Sequence, residues 1–446
     1  MIQFPVSLKI WISVLYLFQV WFVFNSCVQP KKEFESVPLG PWRGVLLLDR
    51  SPVVKYGDDR DIKKNFDFDS ELAFTFDIGK DSLDKLFVEF YNGSEKIRIY
   101  DVTMGKKTIS SKDTLHIDFI EYDTYINAIY EDGIMEGKWI VNYKENYSVP
   151  FKAVFGQNHR FDHKTETSMF DISGKWKTTF QPGKQEEYPA IGDFTQEGNI
   201  VRGTFLTETG DYRFLDGNII KNKLYLSAFD GAHAFLFVGK FTHKDSLIGS
   251  FRSGINYTEE WIAHKDESFT LSDPFQLTSK SSDNPLNFVF PNTENQMVSI
   301  NDNKYKNKIK IVQIMGTWCP NCYDETVMLK DYFKTSPSDE VAWISLGFER
   351  YKEKEKSIKQ LAAYKNKMGL THEVLWAGYY KKEEAIKSIP QLSEILSYPT
   401  LLIIDQQNKI RHIHTGFSGP ATKEYTKFKS DFENLINSLK DEGKKR

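Results

Sequence analysis

Two of the three cysteines in this 446-residue chain stand as Cys319-Pro320-Asn321-Cys322, directly after Trp318. An apolar run over 309–315, broken only by Lys310 and Gln313, leads into the pair, and a helical pattern over 321–333 leads out. A strand that delivers a Cys-x-x-Cys pair to the start of a helix is a redox arrangement. The unpaired N–H groups at a helix N-terminus, together with the macrodipole, favour a thiolate over a thiol. Cys319, at the helix start, is therefore the expected nucleophile. Cys322 lies one turn deeper, placed to attack a mixed disulfide formed on Cys319.

The same pair could be half of a zinc site, which needs a second pair of cysteines or histidines at ligand spacing. No other cysteine is near, and His412 and His414 have the i, i+2 spacing of a strand. No metal ligand set is assigned, and a metal carrier using the pair with a histidine stays as an alternative. A purely structural disulfide is disfavoured, because so short a loop constrains the unfolded chain little.

The third cysteine sits in a different context. Lys9 is followed by residues 10–24, apolar except for Ser13 and Gln19, and then by Asn25-Ser26-Cys27. The run is shorter than the ~20 apolar residues of a membrane span and has the form of a signal-peptide apolar region. Ser26 directly before Cys27 resembles the lipobox of bacterial lipoproteins, with Phe24 where Leu is usual. That resemblance implies that residues 1–26 are a cleaved signal peptide and that Cys27 is acylated. The body would then be anchored in the cell envelope, facing the periplasm. An uncleaved anchor is the alternative and puts the body on the same side. Residues 27–38, carrying two prolines and two lysines, form the expected tether.

The elements that position the dithiol follow from pattern and composition. A net charge of −3 with 27% charged residues gives no sign of nucleic-acid binding. Aromatic residues reach 15%, which favours strands. From 40 to about 265, short alternating runs such as 72–76, 86–90, 97–100 and 115–119 are separated by turn signals, among them Asn92-Gly93, Asp132-Gly133 and Asp230-Gly231. This is the grammar of antiparallel hairpins. The region also echoes itself. Gly40-Pro41-Trp42 matches Gly174-Lys175-Trp176, and Asn146-Tyr147-Ser148 with Phe151 and Ala153 matches Asn256-Tyr257-Thr258 with Trp261 and Ala263. Two tandem antiparallel β units of about eight strands each are expected, over 39–160 and 170–268. A Gly-x-Trp opening a meander resembles small lipocalin-like barrels; a sandwich is the alternative. Trp42, Trp139, Trp176 and Trp261 are expected as core or barrel-end plugs more than as ligand-cavity walls. His116, His159, His163, His233, His243 and His264 lack ligand spacing.

Residues 269–285, rich in Ser, Asp, Lys and Pro, read as a linker. Beyond them, over 286–446, strands and helices alternate, with strands at 308–315, 340–348, 373–376, 400–405 and 409–415 and helices at 351–367 and 422–439. This predicts an α/β layer around one sheet. Trp318-Cys319-Pro320-Asn321-Cys322 after a strand, with Tyr398-Pro399-Thr400 opening a later one, resembles the thioredoxin-like superfamily. Gly316-Thr317 before the dithiol and Glu325 after it are similar to the TlpA/ResA-type branch of extracytoplasmic thiol–disulfide oxidoreductases. The resemblance covers the C-terminal third.

That resemblance implies a role for each matched residue. Pro399 would be a cis-proline facing the dithiol, the Tyr398 backbone would pair with a substrate segment, and Trp318 would form an apolar docking surface. Gln313 stands where thioredoxins keep a buried acid. Glu325, three residues after Cys322, would be the base that helps activate it. Asn321 offers the thiolate only a neutral dipole, which leans the pair towards the reducing direction. The expected function is a membrane-tethered thiol–disulfide oxidoreductase, a reductase of protein disulfides recharged by a membrane electron donor. No cofactor motif is present and none is needed. The alternative from another class is an envelope ligand-binding β protein with an accessory redox domain.

Overall fold

A computed structural model of the chain describes residues 36–48, 69–106, 112–161 and 168–444. The expected signal peptide, Cys27 and the first part of the tether lie outside these residues. Among the described residues, no helix is long and apolar enough to cross a membrane.

The first β unit holds β1 (Gly40–Leu47), β2 (Glu71–Lys80), β3 (Leu86–Asn92), β4 (Glu95–Ile99), β5 (Val102–Lys106), β6 (Asp113–Phe119), β7 (Thr124–Glu131), β8 (Ile134–Val141) and β9 (Ser148–Phe155). They form one antiparallel sheet in the order β4-β3-β2-β1-β9-β8-β7-β6-β5. The second holds β10 (Gly174–Phe180), β11 (Tyr188–Glu197), β12 (Ile200–Thr207), β13 (Gly210–Asp211), β14 (Leu215–Ile220), β15 (Lys223–Phe229), β16 (Ala234–His243), β17 (Ser246–Ser253) and β18 (Tyr257–Lys265). Its order is β11-β10-β18-β17-β16-β15-β14-β12-β13, and a further β11–β12 pairing closes the ring. Among the described residues each sheet has nine strands, against an expected eight or so. The turn-based expectation missed short strands such as β13, two residues long.

The duplication is visible in the geometry. β1 pairs with β9, and β10 pairs with β18, so each unit's first strand meets its last. Trp42 donates its indole N–H to the Pro38 carbonyl at 3.3 Å, and Trp176 donates to Ile172 at 2.7 Å, four residues upstream in both cases. The units differ in closure. In the first, β4 and β5 are not paired, and the second unit fills the gap in its packing. Phe229 of β15 is fully buried among Phe74, Phe90, Phe119 and Trp139, with its ring 4.7 Å from that of Phe74. Trp139 donates to the Gly231 carbonyl at 3.1 Å, so it is a contact between the units. The first unit's core thus takes in Tyr225, Phe229, Ala234 and Leu236 of the second, which has a further core of its own around Trp176 and Phe205.

Residues 269–285 do not form a free linker. Asp273 caps the one-turn helix α1 (Pro274–Leu277), accepting from the Phe275 N–H. Thr415 then donates to the Thr278 hydroxyl at 2.7 Å, and Ser281 donates to the Pro390 carbonyl at 2.5 Å. The serines and threonines that mark a linker in sequence here satisfy backbone and side-chain groups of the next domain.

That domain opens with the short hairpin β19 (Val289–Pro291) and β20 (Met297–Ser299). Its main sheet contains β21 (Ile309–Met315), β22 (Val341–Glu349), β23 (Glu373–Tyr379), β24 (Thr400–Ile404) and β25 (Ile410–Thr415), in the order β23-β22-β21-β24-β25. The β21–β22 and β22–β23 pairs are parallel, and the pairs made by β24 are antiparallel. The helices are α2 (Pro320–Thr335), α3 (Lys354–Met368), α4 (Lys382–Ala385) and α5 (Glu424–Lys444). All of β21 is buried, as a central strand covered on both faces must be. Ile309, Ile311 and Met315 join the core with α2, α3 and α5, while Val312 and Ile314 face the other way. α3 begins at Lys354, later than the expected 351. Tyr351 is outside the helix, and its hydroxyl donates to Asp123 of the first β unit. Gly369, at φ +60, ends the helix in the left-handed conformation that glycine adopts freely.

Candidate active site

β21 carries the chain to Gly316-Thr317-Trp318, and α2 starts immediately after. Cys319 is the N-cap of α2, extended at φ −111, ψ 106, and Pro320 takes the first helical position, where a missing N–H costs nothing. The cap is a sulfur: Cys319 Sγ accepts the Cys322 N–H at 3.2 Å. This is the anion-favouring end of a sixteen-residue helix. Both cysteines are free thiols. Cys319 is 7% exposed and Cys322 is wholly buried, so only Cys319 presents sulfur to the outside. Burial, and next the adjacent Cys319 sulfur, push the Cys322 thiol well above its ordinary pKa.

The Tyr398–Pro399 bond is cis, and Cys319 Sγ lies 3.4 Å from the Tyr398 carbonyl oxygen. Trp318 donates its indole N–H to Phe348 O at 2.9 Å and meets Tyr398 and Tyr380 edge-on. Five residues named from the sequence (Trp318, Cys319, Cys322, Tyr398 and Pro399) therefore converge on one spot.

Glu325 lies beneath it, wholly buried. Neither carboxylate oxygen has a hydrogen-bond partner. Burial pushes its pKa up to about 8, with the nearby Gln313 amide offsetting part of the effect. With its pKa at about 8 it is mostly protonated at neutral pH, and its ionised fraction can take up a proton. Gln313 itself is anchored. Its amide nitrogen donates to Thr326 Oγ1 at 3.1 Å and to the Cys322 carbonyl at 3.3 Å, and Ser345 donates to its oxygen at 3.0 Å.

His412 and His414 are on the edge strand β25, away from the dithiol, with the His414 ring bonded to the Gly416 carbonyl at 3.1 Å. Among the described residues, no group of three or more His, Cys, Asp or Glu is placed to hold a metal ion.

Three residues at the site escaped the sequence reading. Glu349 ends β22 and accepts from the Thr317 N–H at 3.0 Å and hydroxyl at 2.8 Å, fixing the approach to the dithiol; burial lifts its pKa to about 7. Asp324, on α2, is lifted by burial to about 7 despite the guanidinium of Arg213 beside it. Arg213 comes from the second β unit. It donates to the Pro320 carbonyl at 3.3 Å and to Asp324 at 2.9 Å, and pairs with Asp230 at 3.2 Å and with Glu95 of the first unit. Its backbone is left-handed, at φ +58, held by the Asp211 carboxylate accepting its N–H at 2.6 Å. The same turn reaches over the dithiol. Asn321 donates to the Asp211 carbonyl at 3.2 Å, and Ser397 donates to the Thr209 carbonyl at 3.0 Å. Gly210 sits at φ +141, where a side chain is strained, and a Cβ there would displace the Asn321 amide, 2.3 Å away. The only cue in sequence was an arginine in a turn, with nothing to tie it to a helix over a hundred residues later.

The sheet order, the dithiol at the N-terminus of α2 and the cis-proline beside it define a thioredoxin-like domain in the C-terminal third. No family model matches the chain, and no curated protein matches it. Solved structures do match. A thioredoxin-family thiol:disulfide interchange protein from Chlorobium tepidum TLS is 20% identical over 36% of this chain and 99% of its own, with a TM-score of 0.27. A DsbF homologue from Corynebacterium diphtheriae is 16% identical over 38% and 99%, TM-score 0.28. StoA from Bacillus subtilis is 19% identical over 33% and 98%, TM-score 0.25.

Proposed function

We propose that this chain is a thiol–disulfide oxidoreductase that reduces protein disulfides outside the cytoplasm. The observation that carries this reading is Cys319 Sγ capping α2 with the Tyr398 carbonyl 3.4 Å away. A nucleophilic sulfur then lies beside a backbone edge able to align an incoming strand. The Cys319 thiolate attacks one sulfur of the client disulfide. A mixed disulfide forms, and the other client sulfur leaves as a thiolate that takes up a proton. Glu325 in its ionised form takes the Cys322 proton, and the Cys322 thiolate attacks Cys319 Sγ, releasing the second client sulfur as a thiolate that takes up a proton. Two electrons have passed to the client, and Cys319–Cys322 is a disulfide until a membrane dithiol donor reduces it. The neutral Asn321 between the cysteines supports the reducing direction. Acylated Cys27 and the tether would keep the domain at the envelope membrane, facing the periplasm.

The test is reduction of a protein disulfide by the purified chain with dithiothreitol as electron source. Catalysis by the native chain that is lost in Cys319→Ser supports the reading; a Cys319→Ser variant of full activity refutes it.

A further inference from the structure

Beside Trp318 the three parts of the molecule enclose a cavity of about 290 Å³. Its walls include Tyr143 and Lys144 from the first β unit, Tyr212 and Phe251 from the second, and Trp318 and Arg350 from the redox domain. Trp318, the neighbour of Cys319 in the chain, forms one wall of it.

The cavity carries two cations that make no ion pair among the described residues, although Arg350 acts through space on the buried Glu349 carboxyl. The Arg350 guanidinium lies between the faces of Trp318 and Tyr380, 4.0 and 3.9 Å from their centroids, and its Nε has no hydrogen-bond partner. The Lys144 ammonium rests 4.4 Å over the Tyr147 ring. Burial, and then repulsion from Arg350, pull Lys144 down to about 8. Among the described residues, no carboxylate lies within ion-pair distance of either cation. Nearby acids make their close contacts elsewhere, Asp230 with Arg213 and His233, Glu349 with Thr317 and Asp123 with Tyr351, and the Arg350 charge reaches Glu349 through space. Aromatic faces satisfy the cations in part, yet two like charges facing one half-buried cavity repel. A carboxylate placed between them would relieve that repulsion and gain two charge-assisted hydrogen bonds.

We propose that this cavity binds a carboxylate carried beside the disulfide of the substrate, so that the enzyme prefers disulfides with acidic flanks. The inference rests on the disulfide-reductase reading of the dithiol and adds the substrate class. The carboxylate has two sources, an Asp or Glu of a client polypeptide or the carboxylates of a small disulfide.

The experiment compares kcat/KM of the full-length protein for three synthetic disulfide peptides, flanked by Asp/Glu, by Asn/Gln or by Lys, and for glutathione disulfide. The acidic peptide should exceed the amide peptide about tenfold at low salt, with the ratio shrinking as salt rises. In Lys144→Glu the order should turn towards the lysine-flanked peptide. Glutathione disulfide outrunning the acidic peptide would assign the carboxylate to a small molecule, and the reverse to a polypeptide. Equal rates for the acidic and amide peptides, or an acidic preference that survives Lys144→Glu, overturns the inference while leaving the reductase reading intact. Failure to reduce any of the four disulfides overturns both.

Discussion

Arg213 of the second β unit and Asp324 of the dithiol helix form an ion pair at 2.9 Å, with side chains 5% and 13% exposed. The same guanidinium holds Asp230 and Glu95, so a single side chain ties both β units to the start of α2. Burial opposes its charge, but the surrounding carboxylates more than compensate and raise its pKa well above the ordinary value. Removing the cation from such a site leaves buried anions facing one another. Arg213→Met should therefore lower stability by about 3–5 kcal/mol at pH 7, read by urea denaturation. The deficit should shrink as pH falls, because protonating the stranded carboxylates ends their repulsion. A loss that is small and independent of pH would mean that the network does not hold the domains together.

Cys322 is wholly buried under Cys319, so it has no direct route to a client. Replacing it should stop the reaction after the first step. Cys322→Ser should accumulate mixed disulfides on Cys319, visible as reducible adducts by non-reducing electrophoresis and mass spectrometry. The double variant lacking both sulfurs should show none. Adducts on Cys322 in a Cys319→Ser variant, at the level seen in the reverse case, would overturn the division of roles.

The legible part of this chain was its local chemistry. Strand, dithiol and helix follow one another within about thirty residues, and each leaves its own mark: the buried run of β21, the proline after Cys319, the apolar face of α2. Tyr398-Pro399 was readable because proline restricts its neighbourhood severely. What stayed hidden is non-local. Nothing around Phe229 says that its ring fills another unit's core, since an alternating strand shows that a side chain is buried and not what covers it. Arg213, Lys144 and Arg350 have the composition of ordinary surface residues, and only the docking of three domains makes them a network and a cavity. The docking of residues 269–285 is non-local in the same way: a hydroxyl-rich composition suits a tether and a docked segment equally.

Phe229, a second-unit side chain within the first unit's core, makes its own prediction. Phe229 is wholly buried, with Phe74, Phe90, Phe119 and Trp139 around it. Phe229→Ala opens a cavity that these large rings cannot collapse to fill, and should cost about 3–5 kcal/mol. Because the first sheet is unpaired between β4 and β5, the loss should destabilise the first unit as much as the second. Hydrogen exchange should therefore quicken in β2 and β3 as well as in β15. Quickening confined to β15 would mean that the two units are independently stable.

In the proposed mechanism Glu325 would join stability to catalysis. Its pKa is lifted by burial from the ordinary 4.5 to about 8, so the folded protein binds its proton more tightly than the unfolded chain does. The stabilisation is fully present below the unfolded pKa, near 4.5, and is lost as pH rises through the folded value, near 8. Glu325→Gln keeps the shape and removes the titration. The variant should gain on the native protein in thermal stability as pH climbs from 5 to 9, by an amount on the order of a few kcal/mol. Catalysis should move oppositely. If Glu325 accepts the Cys322 proton, the rate of resolving the mixed disulfide should rise with pH through about 8 in the native chain. In Glu325→Gln that rise should shift upward, leaving only direct ionisation of the thiol. Stopped-flow decay of a preformed mixed disulfide at a series of pH values separates this step from client binding. A variant with an unchanged rate profile but an altered stability profile would make Glu325 a buried acid with no part in the proton transfer.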